Sequence, residues 1–293
     1  MDPIQKLYNI RNENGLEQVR NHKKPPLRFR ASEVADCARK IWYRLSGYLP
    51  APRNARSDDY GVDGDAHHDV IRQMLEHYDI PIRGIAFEED GEQKETRFLT
   101  KEFNVDGLNI TVASRCDGEI YLEDLDKWAL LEIKSAGYWK YKYLNDAFVD
   151  GGTTGAIAYM KEKRQNYYLQ SLITATMHGN DLVYLVLKDR SDCNIGLWSG
   201  VLHQGLLFEV GEDDVQAILR KLASIHRKVM DGDPPVPGYL PGSNDCKWCE
   251  FRYACHDYTK RKKKGQEPHL LYPDPAITLP DAPEEGDEDT DSG

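Results

Sequence analysis

Three cysteines crowd the stretch from Cys246 through Cys249 to Cys255, and a separate triplet sets Glu132 two places before Lys134. The first pattern is C-x2-C-x5-C. Three thiolates leave a tetrahedral ion or an iron–sulfur cube one ligand short. Cys37 is the candidate fourth ligand, because it lies in a basic segment beside aromatic residues. Cys116 and Cys193 sit in strand-like surroundings and read as small buried apolar side chains. A ligand from so early in the chain would close it like a clasp and restrict the unfolded state, as a long-loop crosslink does. Zinc and a [4Fe–4S] cluster both accept four thiolates. Zinc modules more often carry two C-x2-C pairs, so one distant plus three local cysteines favours the cluster.

The second pattern suits phosphoryl chemistry. In a strand, residues two apart point to the same side, so Glu132 and Lys134 project together while Ile133 packs inward. Asp117 lies just before the preceding strand, and a hairpin would bring it to Glu132. Two adjacent carboxylates repel unless a cation sits between them, and oxygen ligation suits Mg²⁺ or Mn²⁺. His68 is a further ligand candidate, with His67 beside it as the alternative. Such a site would hydrolyse phosphodiesters: the ion polarises the phosphoryl group, and Lys134 orients or deprotonates the attacking water. Gln170 is placed either to steady Lys134 or a phosphate, or as a polar residue on an exposed helix face.

The elements that position these groups are legible in outline. Residues 1–30 read as a polar lead-in. One helix is expected from Ala31 to Tyr48, capped by Ser32, with Val34, Ile41 and Leu45 on its apolar stripe. A second spans Asp65–His77 with Val70, Ile71, Met74 and Leu75 inward. Residues 96–134 give two hairpins, the first turning at Asp106-Gly107. A helix over 165–178 follows, then a strand from Leu182, two short strands ending by Val210, and a helix over 213–230. Residues 137–164 join strand to helix by a long route. Their aromatic and basic interleaving suits stacking on unpaired bases and their glycines a moving flap, with a packed insert the equal alternative. A Pro/Gly-rich connection leads into the cysteine segment.

Charge is uneven. The chain has 293 residues, 40% hydrophobic and 30% charged, with net charge −11. Residues 281–293 carry seven acidic and no basic residues, whereas 20–56 carry ten basic against two acidic, and 247–264 seven against two. Local basic patches decide where phosphates dock. From about 266 the composition is that of disorder. No apolar run reaches bilayer-spanning length and the start is not a leader, so a cytoplasmic location and no membrane contact are expected. Grouped cysteines in that compartment point to metal before disulfide.

Taken in order, "SEVADCARKIWY", "GDAHH", "SRCDG", "LLEIKSA", "YYLQ" and "CKWCEFRYAC" resemble the RecB-like PD-(D/E)xK nucleases that carry an iron–sulfur cluster. These include the CRISPR-associated Cas-four exonucleases, their phage-encoded counterparts and the nuclease domain of AddB. The resemblance spans about Ser32 to Cys255. It implies a restriction-endonuclease-like α/β core over 31–265, a mixed central sheet flanked by helices, with a small C-terminal cysteine-held cap. It implies metal ligands His68, Asp117 and Glu132, catalytic Lys134, the downstream Gln170, and cluster ligands Cys37, Cys246, Cys249 and Cys255. The implied substrate is DNA, single-stranded and degraded from an end, with endonucleolytic cutting and recombination or CRISPR-adaptation partners as further expectations. One departure is Thr174, where the family has a tyrosine four residues after the glutamine; Tyr167 or Tyr168 would serve instead. The acidic tail, also outside the family pattern, would either compete for the DNA groove or aid solubility. The competing readings are a DNA-binding adaptor with secondary or partner-dependent cleavage, and a zinc-held DNA-binding module.

Overall fold

The chain enters through a polar helix, α1 (Pro3–Arg20), within the stretch read from sequence as a polar lead-in. It has no continuous apolar stripe, and Leu7 and Ile10 stay exposed. The computed structural model describes residues 3–20, 24–51, 55–89, 92–96, 98–191, 194–201, 203–239, 243–252, 254 and 255. The expectations for Cys193, for the basic run at 260–264 and for the tail from 266 lie outside these residues.

The helix expected over 31–48 is broken. Strand β1 (Phe29–Arg30) passes through a 3₁₀ turn at Ala31–Glu33, and α2 (Ala38–Leu45) starts afresh after Cys37. Glu33 closes the 3₁₀ turn. Its Oε1 accepts the Arg30 N–H at 3.0 Å and pairs with buried Arg44, folding the first turn back on itself. Ser32 therefore caps nothing in α2, and Cys37 takes the N-cap position.

Helix α3 (Ala55–His77) begins earlier than the sequence pattern indicates. Ile71 is buried, whereas Val70 and Met74 face outward, contrary to their expected inward placement. At about 100° per residue, the face shared by Ile71 and Leu75 meets the sheet and the other two rotate off it.

Strand β2 (Ile82–Arg83) is followed by a hairpin of β3 (Ile85–Glu89) and β4 (Glu92–Thr96). Next come β5 (Phe98–Val105) and β6 (Leu108–Arg115), joined by the expected two-residue turn. Asp106 and Gly107 both have positive φ (52° and 77°), the turn geometry whose twist matches paired strands. The second expected hairpin is β7 (Gly118–Leu122) with β8 (Lys127–Ala136). Helix α4 (Tyr138–Lys163) and helix α5 (Gln165–His178) then cross to β9 (Leu182–Asp189), parallel to β8. Short β10 (Leu197–Trp198), β11 (His203–Gln204) and β12 (Leu206–Glu209) precede α6 (Glu212–Met230) and α7 (Asn244–Lys247).

Strands β12-β9-β8-β7-β2 form a mixed five-stranded sheet, and β1-β6-β5 a second sheet continuous with it through the β6–β7 bend. Both faces of the larger sheet are covered, which is why β8 reads as an almost unbroken apolar run. On one face Leu130, Leu185 and Leu187 pack with Leu172 of α5 and with Ile218 and Leu222 of α6. On the other, Leu131, Ile133 and Val186 meet Ile71 of α3. The molecule is thus mixed α/β, a central sheet flanked by helices. No helix among the described residues is long and apolar enough to cross a membrane.

Residues 137–164 form packed helix, with Tyr141, Leu144, Phe148, Ala156 and Met160 buried. Gly152 (φ 58°, ψ −152°) breaks α4 in a conformation open almost only to glycine. The C-terminal segment is tied to α2. Phe251 is buried and stacks on Tyr43 at 5.9 Å, and Arg39 Nε donates to Pro235 O at 2.6 Å. Ala51 N donates to Glu250 O at 2.7 Å.

Candidate active site

A bend between β6 and β7 carries Asp117. Gly118 has φ 139°, and a Cβ there would lie 2.8 Å from Arg83 O, so only glycine lets the chain turn so close to β2. The β7–β8 pairing begins at Gly118 opposite Leu131. Beyond it the Ile133 amide has no strand partner on that side, and Asp117 Oδ2 accepts it at 2.7 Å. The carboxylate thus takes the place of the missing strand and is fixed against the E-x-K segment.

His68 on α3 reaches the other oxygen, with Nδ1 2.8 Å from Asp117 Oδ1. Its neighbour His67 points to Asp63 instead, at 3.4 Å, so of the two it is His68 that reaches Asp117. In the tautomer where Nδ1 donates to Asp117, the ring lone pair lies on Nε2. Arg72, one helical turn past His68, also bonds Asp117 Oδ1 at 3.2 Å and pairs with Asp69. Sequence reading missed Arg72; its spacing of four from His68 is the signal that was present. Burial pushes Asp117 upward, but the His68 hydrogen bond and charge, the Ile133 amide and Lys134 together hold it below the usual carboxylate range.

Glu132 and Lys134 project to the α5 face, as the strand alternation requires. Glu132 is 2% exposed, and its Oε1 lies 2.5 Å from Lys134 Nζ and 3.1 Å from Gln170 Nε2. Gln170 therefore faces inward, not toward solvent. Burial raises the Glu132 pKa against the pull of Lys134, and the Asp117 charge adds to the rise. Among the described residues Glu132 Oε2 is buried without a hydrogen-bond partner. A buried carboxylate oxygen left in that state is costly, and a cation is one way to satisfy it. No three His, Cys, Asp or Glu side chains among the described residues form a ready group for a metal ion.

Thr174 is buried, its hydroxyl 2.8 Å from Ser114 Oγ, where it ties α5 to β6. Of the two tyrosines, Tyr168 donates to Asp214 at 2.7 Å, whereas the Tyr167 ring lies 6.0 Å from Lys134 Nζ. Tyr167 is the one on the side of the centre. Cys116 is buried, its thiol pushed up to about 12 by burial, in keeping with a packed apolar role.

Cys37, Cys246, Cys249 and Cys255 line one cavity of about 140 Å³, together with Tyr43, Pro237 and Phe251. Cys37 Sγ accepts the Gly238 N–H at 3.3 Å, and Arg39 Nη1 lies 3.9 Å from Cys255 Sγ. Burial pushes the Cys249 thiol up, against the pull of the Phe251 amide and Lys40. The four cysteines thus share one cavity, although among the described residues they are not drawn together into a ready metal-ion group.

No protein-family model matches the chain, and no curated protein matches it. Among solved structures it is similar to the crystal structure of SSO0001, with 15% identity and TM-score 0.44 over 84% of this chain and 94% of that one. It is also similar to an alkaline exonuclease, LHK-Exo, from Laribacter hongkongensis, with 13% identity and TM-score 0.42 over 78% and 93%. The same exonuclease in complex with dAMP gives 12% and 0.41 over 70% and 88%. These are distant likenesses.

Proposed function

We propose that the chain is a divalent-metal-dependent deoxyribonuclease that hydrolyses phosphodiester bonds at the ends of single-stranded DNA. In this reading the core is restriction-endonuclease-like, and Cys37, Cys246, Cys249 and Cys255 hold a structural [4Fe–4S] cluster. The observation that carries the hydrolase reading is the buried Glu132 carboxylate. One oxygen is held by Lys134 and Gln170, the other is unpartnered, and Asp117 is fixed close by.

Asp117, Glu132 and His68 are the residues that would hold Mg²⁺ or Mn²⁺, which supplies Lewis-acid polarisation of the phosphoryl group and activation of water. The chain's own groups do the rest. Gln170 fixes Glu132 Oε1, so the carboxylate keeps one orientation. Lys134, 15% exposed at the end of β8, offsets negative charge developing on the phosphoryl oxygens and orients the attacking water. Arg72 and the Ile133 amide hold Asp117 in place. Lys40 and Arg252 line the cysteine cavity, Lys247 follows Cys246 in sequence, and these would meet backbone phosphates there, whereas Arg39 is buried against Pro235 O and Cys255 Sγ.

The expected outcome is cleavage of end-labelled single-stranded DNA in Mn²⁺ that stops on chelation. Cleavage that persists in full with chelator present would exclude this chemistry.

A further inference from the structure

Tyr138, Trp139 and Tyr143 are 47%, 62% and 48% exposed, although large rings ordinarily gain by burial. They form one continuous set. Tyr138 meets Trp139 edge-on at 5.0 Å, and Trp139 stacks on Tyr143 at 5.9 Å with 27° between the planes. The packing of α4 does not need them, because Tyr141, Leu144 and Phe148 already fill its inner face. Their position is fixed by the catalytic strand: β8 ends at Ala136 and α4 begins at Tyr138, four residues beyond Lys134.

This end of α4 is clamped. Ser191 Oγ accepts the Tyr138 N–H at 3.1 Å, and Arg190 N donates to Ala136 O at 2.9 Å. The Arg190 guanidinium passes about 4 Å from the α-face of Gly137 (3.9 Å to an ideal Cβ) while pairing with Asp63 at 3.0 Å. Lys140 stands in the same cationic ground. Its own burial, then Arg164 and Arg190, lower its pKa, and Tyr167 feels Lys134, Arg164 and Arg190 together. Rigid rings beside grouped cations match an unpaired polynucleotide strand, which offers free base faces and phosphates. A duplex hides its base faces within its own stack.

We propose that Tyr138, Trp139 and Tyr143 form a platform on which bases of an unpaired strand stack, with Lys140, Arg164 and Arg190 holding phosphates as the strand runs toward Lys134. This rests on the nuclease reading and gives it a strand preference. The three rings are specificity-determining residues; none touches the reacting atoms.

The test uses the full chain carrying Lys134→Ala, so that bound DNA survives, and compares it with the same chain also carrying Trp139→Ala and Tyr143→Ala. Affinity is measured for oligo-dT and for a blunt duplex at one fixed salt concentration. The alanine pair is expected to weaken oligo-dT binding about ten- to hundredfold. Duplex binding should be unchanged, and the Phe pair at the same positions should restore the oligo-dT affinity. Oligo-dT binding by the alanine pair within about twofold of the parent would overturn the proposal. Photo-crosslinking of bromouracil-substituted DNA to the otherwise unmodified Lys134→Ala chain needs no ring substitution. Crosslinks in the peptide containing Trp139 and Tyr143 support the platform, and crosslinks confined to other peptides overturn it. A wild-type chain that binds oligo-dT through this peptide but never cuts would sink the nuclease reading and leave the platform standing.

Discussion

At the scale of single residues, the site depends on side chains that stand in for missing backbone. Asp117 completes the edge of β8 through the Ile133 amide, and this fixes its carboxylate without help from another strand. Gln170 does the corresponding work for Glu132, by a single hydrogen bond of 3.1 Å. Gln170→Ala should lower kcat about ten- to hundredfold with little change in DNA affinity, since a supporting hydrogen bond is removed and no phosphate contact is lost. Single-turnover rates beside equilibrium binding check this; an affinity loss with an unchanged rate would place Gln170 on the DNA instead. The pairing of Glu132 with Lys134 was legible in the sequence because strand alternation is strict. Arg72 was not legible, and the choice between Tyr167 and Tyr168 stayed open, because both depend on which face of a helix meets the sheet.

Among the elements, those that bury a continuous face matched their sequence pattern most closely. Helix α5 occupies the expected 165–178, and β7–β8 is the expected hairpin. Helix α2 departed from expectation: the chain makes a 3₁₀ turn at Ala31–Glu33 and restarts at Ala38, with Glu33 paired to Arg44 across the interruption. Helix α4 was ambiguous: its glycines read as flexibility, but in the fold Gly152 makes a kink, and Gly155 packs against the Ala147 carbonyl where a Cβ would lie only 2.4 Å away. The tie between α2 and the cysteine segment has its own expected outcome. Anaerobically purified protein should contain iron and acid-labile sulfide, and Cys246→Ser should lose both along with thermal stability. Zinc at one per chain without sulfide would refute the cluster, and a colourless Cys246→Ser variant as stable as the parent would refute its structural role.

On the scale of the whole molecule, three features meet around one sheet. The E-x-K strand ends beside α3 and α5, the exposed rings of α4 begin where that strand stops, and the cysteine segment closes onto α2. The overall charge of −11 would have argued against a polyanionic substrate, but charge acts where it is concentrated: Lys134, Arg164 and Arg190 all act on Tyr167, and Arg164 and Arg190 on Lys140. The measurement that tests the central claim most directly is cleavage of end-labelled single-stranded DNA in Mn²⁺ by the wild type and by Lys134→Ala. The predicted result is loss of cleavage in the variant with DNA binding retained. Equal cutting by the two proteins would contradict a hydrolytic centre at Glu132 and Lys134.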